Sequence, residues 1–385
     1  MNLLGMSPDE LEASGAYWTA REISQQPAVW IDIERAMARD AEALRAYLDP
    51  LLMRQELRIV LAGAGTSACI GECLAPALAR RMGRRVEAVA TTDLVASPES
   101  WLAPTAPVLL VSFARSGNSP ESVATLTLAE QALPECHHLI VTCNREGELL
   151  RRAQGMRNAH VLLLPEETND RGFAMTSSFS GLMLAAALAF NLPAPQATAA
   201  LARWADGVLA DFPSAAGLAS AGFERVVYLG SNELKGLARE AALKMLELTD
   251  GRVVTLSDTP LGFRHGPKTF INSKTLVVMF LCNDPYSRRY ELDLLGELRA
   301  DGIAARVVAL TAGDSARSAH PNDIVVPGAT AAPDSDLCFP YAVFAQTLAL
   351  LQSLALGLRP DSPNAKGVVH RVVRGVSIYP RNPTR

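Results

Sequence analysis

The first residues that could do chemistry are Gly63-Ala64-Gly65-Thr66-Ser67, at the end of a short β-rich run. Two glycines let the backbone approach a ligand closely, and Thr66 and Ser67 open the next helical stretch. Unpaired amides and two hydroxyls are thereby aimed at an anion. The same Gly-x-Gly-x-x-Ala spacing also fits a dinucleotide fingerprint with Asp93 as the ribose acid, or a plain turn with a helix cap. A second turn, Ala114-Arg115-Ser116-Gly117-Asn118-Ser119-Pro120, ends another apolar run. It supplies Ser116 and Ser119, the fixed charge of Arg115 with its two-pronged guanidinium, and a proline suited to a helix's first turn. A monophosphate gripped from two sides needs both loops, whereas a dinucleotide fold has no need of the second. Helix capping by Ser119 is the structural alternative.

Another group lies in the second half. Glu240, Lys244 and Glu247 fall at i, i+4 and i+7 on a predicted helix, 233–249, whose other positions are mostly apolar. Buried charges must be paired, and desolvation raises a carboxyl's proton affinity toward values useful in acid–base work. Read chemically, Glu247 is a general base tuned by Lys244 and Glu240. Read structurally, the stripe is an ion-pair ladder or a solvated face. Further on, Leu261-Gly262-Phe263-Arg264-His265-Gly266-Pro267-Lys268 places His265 on a loop, because Gly and Pro exclude a helix interior. Arg264 and Lys268 would disfavour its cationic form and leave an imidazole able to take a proton near neutrality. A surface histidine is the plain alternative.

The elements that must position these groups repeat one plan twice. Helices are expected over 17–55. Strands are then expected at 58–63, 86–91, 108–113, 139–143 and 161–164, and again at 225–230, 253–256, 276–281, 305–310 and 324–326, with helical stretches between them. Strands spaced by helices imply parallel sheets with right-handed crossovers, and near-continuous apolar strands fit sheets covered on both faces. The fold class is therefore α/β, with two tandem doubly wound domains. The divisions are a helical segment 1–44, a first domain 45–210 for the phosphate, a second 215–358 for the acid–base residues, and a tail 359–385. In such sheets ligands sit beyond the carboxyl ends of the strands, which is where the residues above fall.

Composition excludes several classes. Hydrophobic residues make up 49% and charged residues 20% of the chain, as in globular proteins. A net charge of −4 argues against a nucleic-acid surface. The N-terminus lacks the basic and apolar regions of a signal peptide, and the longest apolar run, 182–190, is too short to span a bilayer. Six cysteines (69, 73, 136, 143, 282 and 338) are scattered among apolar neighbours; Cys69 and Cys73 sit at helical spacing without a CxxC pair or His cluster, so no metal is expected and reduced thiols in a cytoplasmic protein are.

Gly-x-Gly-Thr-Ser followed about fifty residues later by Ser-Gly-x-Ser resembles the SIS (sugar isomerase) domain, a flavodoxin-like fold whose loops hold the phosphate of a sugar phosphate. The resemblance implies phosphate ligands at Ser67, Arg115, Ser116 and Ser119, with Thr66 beside them and Thr176 from a third, weaker hydroxyl segment. Many members carry Ser-Gln-Ser-Gly-Glu-Thr in the second loop. Here a hydroxyl is replaced, and Arg115 brings compensating charge. Glu240-x-x-x-Lys244-x-x-Glu247 and His265-Gly266-Pro267 match the family's acid–base helix and ring-opening histidine. In related enzymes that histidine enters the partner subunit's site, which implies a homodimer. The tail resembles the family's C-terminal segment, whose lysine reaches the active site; Arg371 fits that position first and Lys366 second. The motifs Asp170-Arg-Gly-Phe-Ala-Met-Thr-Ser-Ser and Pro260-Leu-Gly-Phe-Arg-His-Gly-Pro-Lys resemble the AgaS group. That likeness implies an enzyme turning galactosamine 6-phosphate into tagatose 6-phosphate and ammonia, without a cofactor. Glucosamine 6-phosphate deamination, plain aldose/ketose isomerisation, a non-catalytic sugar-phosphate sensor and a nicotinamide-dependent dehydrogenase are the alternatives.

Overall fold

The computed structural model describes residues 2–103, 106–192, 197–313, 320–373 and 375–380. Ten strands form two five-stranded parallel sheets among these residues. The first contains β1 (Arg58–Gly63), β2 (Val86–Ala90), β3 (Val108–Ala114), β4 (Cys136–Thr142) and β5 (Ala159–Leu163), in the order β2-β1-β3-β4-β5. The second contains β6 (Arg225–Gly230), β7 (Val254–Asp258), β8 (Thr275–Phe280), β9 (Arg306–Gly313) and β10 (Ile324–Pro327). Read from its other edge its order is β7-β6-β8-β9-β10, the same winding. Each sheet reverses direction beside its first strand, which is the switch point where doubly wound sheets bind ligands.

Alternation along the strands sorts the core. Ile59 and Leu61 on β1, and Tyr228 and Phe280 in the second sheet, face one continuous apolar core lying between the sheets. Val60 and Ala62 face a separate layer with Leu94 and Leu128, and Val227 and Met279 face another with Leu294 and Leu298. Both faces of both sheets are thus covered, as the near-continuous apolar strands require.

The helices that set the site are α1 (Tyr17–Ser24), α2 (Gln26–Leu52), α3 (Thr66–Met82), α4 (Pro120–Ala132), α5 (Ser177–Ala189), α6 (Ala197–Ala210), α7 (Glu233–Leu248), α8 (Ser287–Asp301) and α9 (Asp334–Ala355). Helix α2 runs through position 44 without a break, so the helical segment continues into the first half. A buried polar chain ties it to both halves: Trp30 Nε1 donates to Ser180 Oγ at 2.9 Å, Ser180 Oγ to Gln26 Oε1 at 2.6 Å, and Gln26 Nε2 to Gln346 Oε1 at 2.8 Å.

Helix α9 is long and apolar enough to cross a membrane, yet 89% of its apolar window is buried inside the protein, packed on α7 and α6. It carries Pro340 within it. Burial of Cys338 and Phe339 before the proline and of Tyr341 and Val343 after it outweighs the hydrogen bond that Pro340 cannot make.

The two halves share a turn as well as a winding. Gly65 sits at φ 56°, ψ −124°, and Asn232, at the same place after β6, at φ 50°, ψ −119°. That conformation suits glycine, so Asn232 holds backbone strain. The chain then folds back so tightly that a Cβ on Gly63 would lie 2.5 Å from Ser67 backbone, and one on Gly230 would lie 2.3 Å from Leu234 O. Helices α3 and α7 consequently start alike and pack antiparallel, Thr66 meeting Glu240, Glu72 meeting Arg239 and Arg80 meeting Glu233. At their crossing a Cβ on Gly236 would stand 2.6 Å from the backbone nitrogen of Cys73.

Candidate active site

Beyond the carboxyl ends of β1 and β3 lies a cavity of about 210 Å³. Its lining brings together Thr66 and Ser67, Arg115, Ser116 and Ser119, Glu247 from the end of α7, and the tail segment 369–373. Thr66 and Ser67 are buried at the start of α3, where the Ser67 and Ala68 amides donate back to Ala64 O and Gly65 O at 3.0 Å each. The 116–119 loop is braced from behind: Asn144 Nδ2 donates to Ser116 O at 2.7 Å, and Ser119 Oγ donates to Ser122 Oγ at 2.6 Å. Gly117 has φ 65° and approaches Gly147 so closely that a Cβ would stand 3.3 Å from its Cα.

Arg115 is buried under this rim. Its Nη1 donates to Phe173 O at 3.3 Å and its Nη2 to Arg371 O at 2.6 Å, while the Nε–H has no protein partner. Burial first, then the neighbouring Arg371, lower its proton affinity from the ordinary guanidinium value. The Arg371 guanidinium in turn donates to Asp170 O. Two arginines therefore cross-tie the tail to the loop after β5.

On α7 the buried ammonium of Lys244 bridges two carboxylates. It lies 3.6 Å from Glu240 Oε1 and forms a tight ion pair with Glu247. Glu240 is enclosed; burial pushes its carboxyl up to about 7, against the pull of Lys244. Its Oε1 accepts from Thr66 Oγ1 at 3.4 Å. Glu247 keeps 28% of its side chain exposed, on the cavity. The helix thus presents one carboxylate to the site and buries its counter-charges behind it.

Other predicted residues fall elsewhere. Thr176 is the N-cap of α5, fully buried, and its hydroxyl donates to Asp170 Oδ1 at 3.3 Å; it does not line the cavity. Thr66, though on the cavity, gives its hydroxyl to Glu240. Lys366 is exposed and away from the lining, while Arg371 is on it. His265 is an exposed residue of the loop after β7 and is not among the residues around the cavity of its own chain. Its cationic neighbours are themselves paired: Arg264 with Asp293 and Glu297, and Lys268 with Glu297 and Asp301, all on α8.

Several lining residues escaped the sequence reading. His370, Phe113 and Met175 face the cavity, and Ser67 Oγ lies 3.9 Å from Met175 Sδ. Asp170 organises the wall: its carboxylate accepts from the amides of Thr176, Ser177 and Ser178 at 2.7, 3.1 and 2.9 Å, capping α5. An acid a few residues before Thr-Ser-Ser was the available signal.

The second half is arranged differently beyond β6 and β8. There Glu291 of α8 turns inward, accepting from the Cys282 amide at 2.8 Å, so a carboxylate of the protein itself occupies the place of an anion. A larger cleft of about 630 Å³ lies outside, between α4 and residues 378–380; its Glu148 and Arg152 are paired to each other.

Tandem 2-1-3-4-5 sheets with a candidate site at the first switch point define a doubly wound α/β protein, and the chain belongs to the SIS domain family, which residues 52–192 match. Within that family its full-length likeness is to the AgaS proteins. D-galactosamine-6-phosphate deaminase AgaS of Escherichia coli is 47% identical over 96% of this chain and 97% of its own length. The protein of the same name from Shewanella sp. (strain ANA-3) is 41% identical over 98% and 96%. The crystal structure of tagatose-6-phosphate ketose/aldose isomerase from Escherichia coli superposes with a TM-score of 0.86 at 44% identity, covering 95% of this chain and 97% of that one.

Proposed function

We propose that this protein is a deaminating aldose–ketose isomerase that converts galactosamine 6-phosphate into tagatose 6-phosphate and ammonia. The observation that carries the reading is the opening of Glu247, backed by buried Lys244, onto the same cavity as Ser67, Arg115, Ser116 and Ser119. Relatives named for this deamination and near-complete coverage support the substrate.

In this reading the first half holds the phosphate and the second half lends the acid–base groups. The cradle binds the dianion several bonds from the reacting carbons and aligns C2 with the carboxylate, an orientation effect worth several kcal/mol. Once the ring is open, Glu247 takes the C2 proton. The C2–H pair forms the C1–C2 double bond of an enolamine while the C1 carbonyl π pair moves to O1, which takes a proton from solvent; Glu247 returns its proton to C1 as the nitrogen releases one to solvent, leaving an imine at C2. Water adds to the imine carbon, ammonia leaves with the electron pair of the C–N bond, and the ketose remains. A positioned carboxylate of this kind contributes ~10²–10⁴-fold. Lys244 fixes the carboxylate between turnovers.

Ring opening falls to His265 of a second copy, because His265 lies away from the cavity of its own chain; the active species is then a homodimer. Six free, buried cysteines support a reducing, cytoplasmic setting. The deciding experiment measures ammonia release from galactosamine 6-phosphate, glucosamine 6-phosphate and their N-acetyl forms. Release from the first alone is expected. Interconversion of tagatose 6-phosphate with its aldose, with no ammonia from any amino sugar, would replace deamination by plain isomerisation.

A further inference from the structure

Helix α1 lies outside both sheets and contributes nothing to the cavity, yet it grips the segment that holds Arg115. Glu22 is 4% exposed. Its Oε1 accepts the Arg171 amide, and both its oxygens lie 3.2 Å from the Gly172 amide nitrogen. Three residues on, Gln25 Nε2 donates to Glu167 O at 2.7 Å and to Ser177 Oγ at 3.0 Å. Ser177 Oγ donates to Glu22 O at 2.6 Å. One turn of helix thus clamps the 167–177 segment at its start, middle and end.

That segment carries the two carbonyls on which the cationic wall rests: Phe173 O takes Arg115, and Asp170 O takes Arg371. The same helix holds the root of the tail. Asp361 caps it, accepting from the amides of Trp18 and Thr19 at 3.0 and 2.8 Å and from Thr19 Oγ1 at 2.7 Å. The fit around Glu22 leaves no slack. A Cβ on Gly172 would stand 2.8 Å from Glu22 Oε2 and 3.0 Å from Thr19 Oγ1.

We infer that Glu22 is a positioning residue of the phosphate site: it fixes the 170–173 turn through two amides and thereby fixes where the Arg115 guanidinium stands. This rests on the reading of Arg115 as a phosphate ligand and extends it to a residue about 150 positions in sequence from the turn it fixes, on a helix outside the cavity lining. Because the phosphate is bound alike in ground and transition states, displacing Arg115 weakens substrate binding and leaves the proton transfer at Glu247 alone.

The test compares wild type, Glu22→Ala, Glu22→Gln and Gly172→Ala. Steady-state kinetics use galactosamine 6-phosphate, and calorimetry with inorganic phosphate reads the cradle apart from the reaction. Glu22→Ala is expected to raise KM and the phosphate dissociation constant by roughly tenfold or more, as loss of the buried hydrogen bonds to two amides does, with kcat within about threefold. Glu22→Gln, which keeps one acceptor oxygen, recovers most of the loss. Gly172→Ala strains the same contact with a single methyl group and shifts KM in the same direction, so it decides the matter where Glu22→Ala does not fold. Unchanged KM and unchanged phosphate affinity in folded Glu22→Ala or Gly172→Ala overturns the inference. Weaker phosphate binding in these variants, in a protein whose wild type releases no ammonia, removes the substrate assignment and leaves the positioning role standing.

Discussion

Lys244 and Glu247 form an ion pair one helical turn apart, the ammonium wholly buried and the carboxylate open to the cavity. The arrangement keeps a carboxylate in place without enclosing it. Glu247→Gln preserves shape and hydrogen bonding but cannot take a proton. Turnover should fall by ~10²–10⁴-fold while KM changes little. Ammonia release under saturating substrate checks this, and full activity in the variant would remove Glu247 from the base role.

Removing the ammonium has a different signature. Lys244→Met leaves Glu240 and Glu247 facing each other without their shared counter-charge, and breaking a buried pair from one side costs ~3–5 kcal/mol. Denaturant unfolding should show that loss. A variant as stable as wild type would mean that the two carboxylates do not depend on Lys244.

Arg115→Lys keeps the charge and loses the fork that spans Phe173 O and Arg371 O. KM should rise about tenfold or more with a smaller change in kcat. An unchanged KM would show that the cation acts only as a point charge.

The proposed sharing of His265 between two subunits has its own test. Glu247→Gln and His265→Asn should each be inactive alone. Mixed after subunit exchange, they should recover roughly a quarter of wild-type activity, because half of the dimers carry one intact site. Mixtures that exchange, as followed by mass, and stay inactive dispose of the idea.

Stability should depend on pH through two buried acids. Burial, with Asp170 as the next contribution, pushes Glu22 from 4.5 up to about 8, and burial pushes Glu240 from 4.5 up to about 7. Between those limits the folded chain keeps protons that the unfolded chain has released. Stability therefore declines as pH rises from about 4.5 toward about 8. The melting temperature at pH 8 should lie below that at pH 6 at constant ionic strength, and Glu22→Gln with Glu240→Gln should flatten the slope. A double variant with the wild-type slope would assign the effect to other groups.

Much of this was readable from residue order. All ten strands lie where β-rich runs alternate with helical ones, because fully buried parallel strands such as Val108–Ala114 leave an apolar signature independent of context. The two hydroxyl loops and the α7 stripe were readable for the same reason: each is local. Thr176 was misplaced because a hydroxyl at a helix start looks the same whether it meets a ligand or, as here, Asp170. Glu22 left no trace, since its amide partners are about 150 residues distant. His265 was legible as a loop residue, but its neighbours Arg264 and Lys268 find their acids on α8, which no local pattern announces.

The contact of Gly236 with the backbone of Cys73 bears on more than packing. Helix α3 begins at the hydroxyls of the cradle and α7 ends at Glu247, so their crossing point is the pivot between the two ends of the site. With no side chain there to yield, the span from anion to base is held like the jaws of a fixed calliper. Substrate length is then gauged by rigid helices rather than by loops, and a sugar phosphate one carbon shorter would seat its phosphate yet leave its C2 hydrogen out of reach.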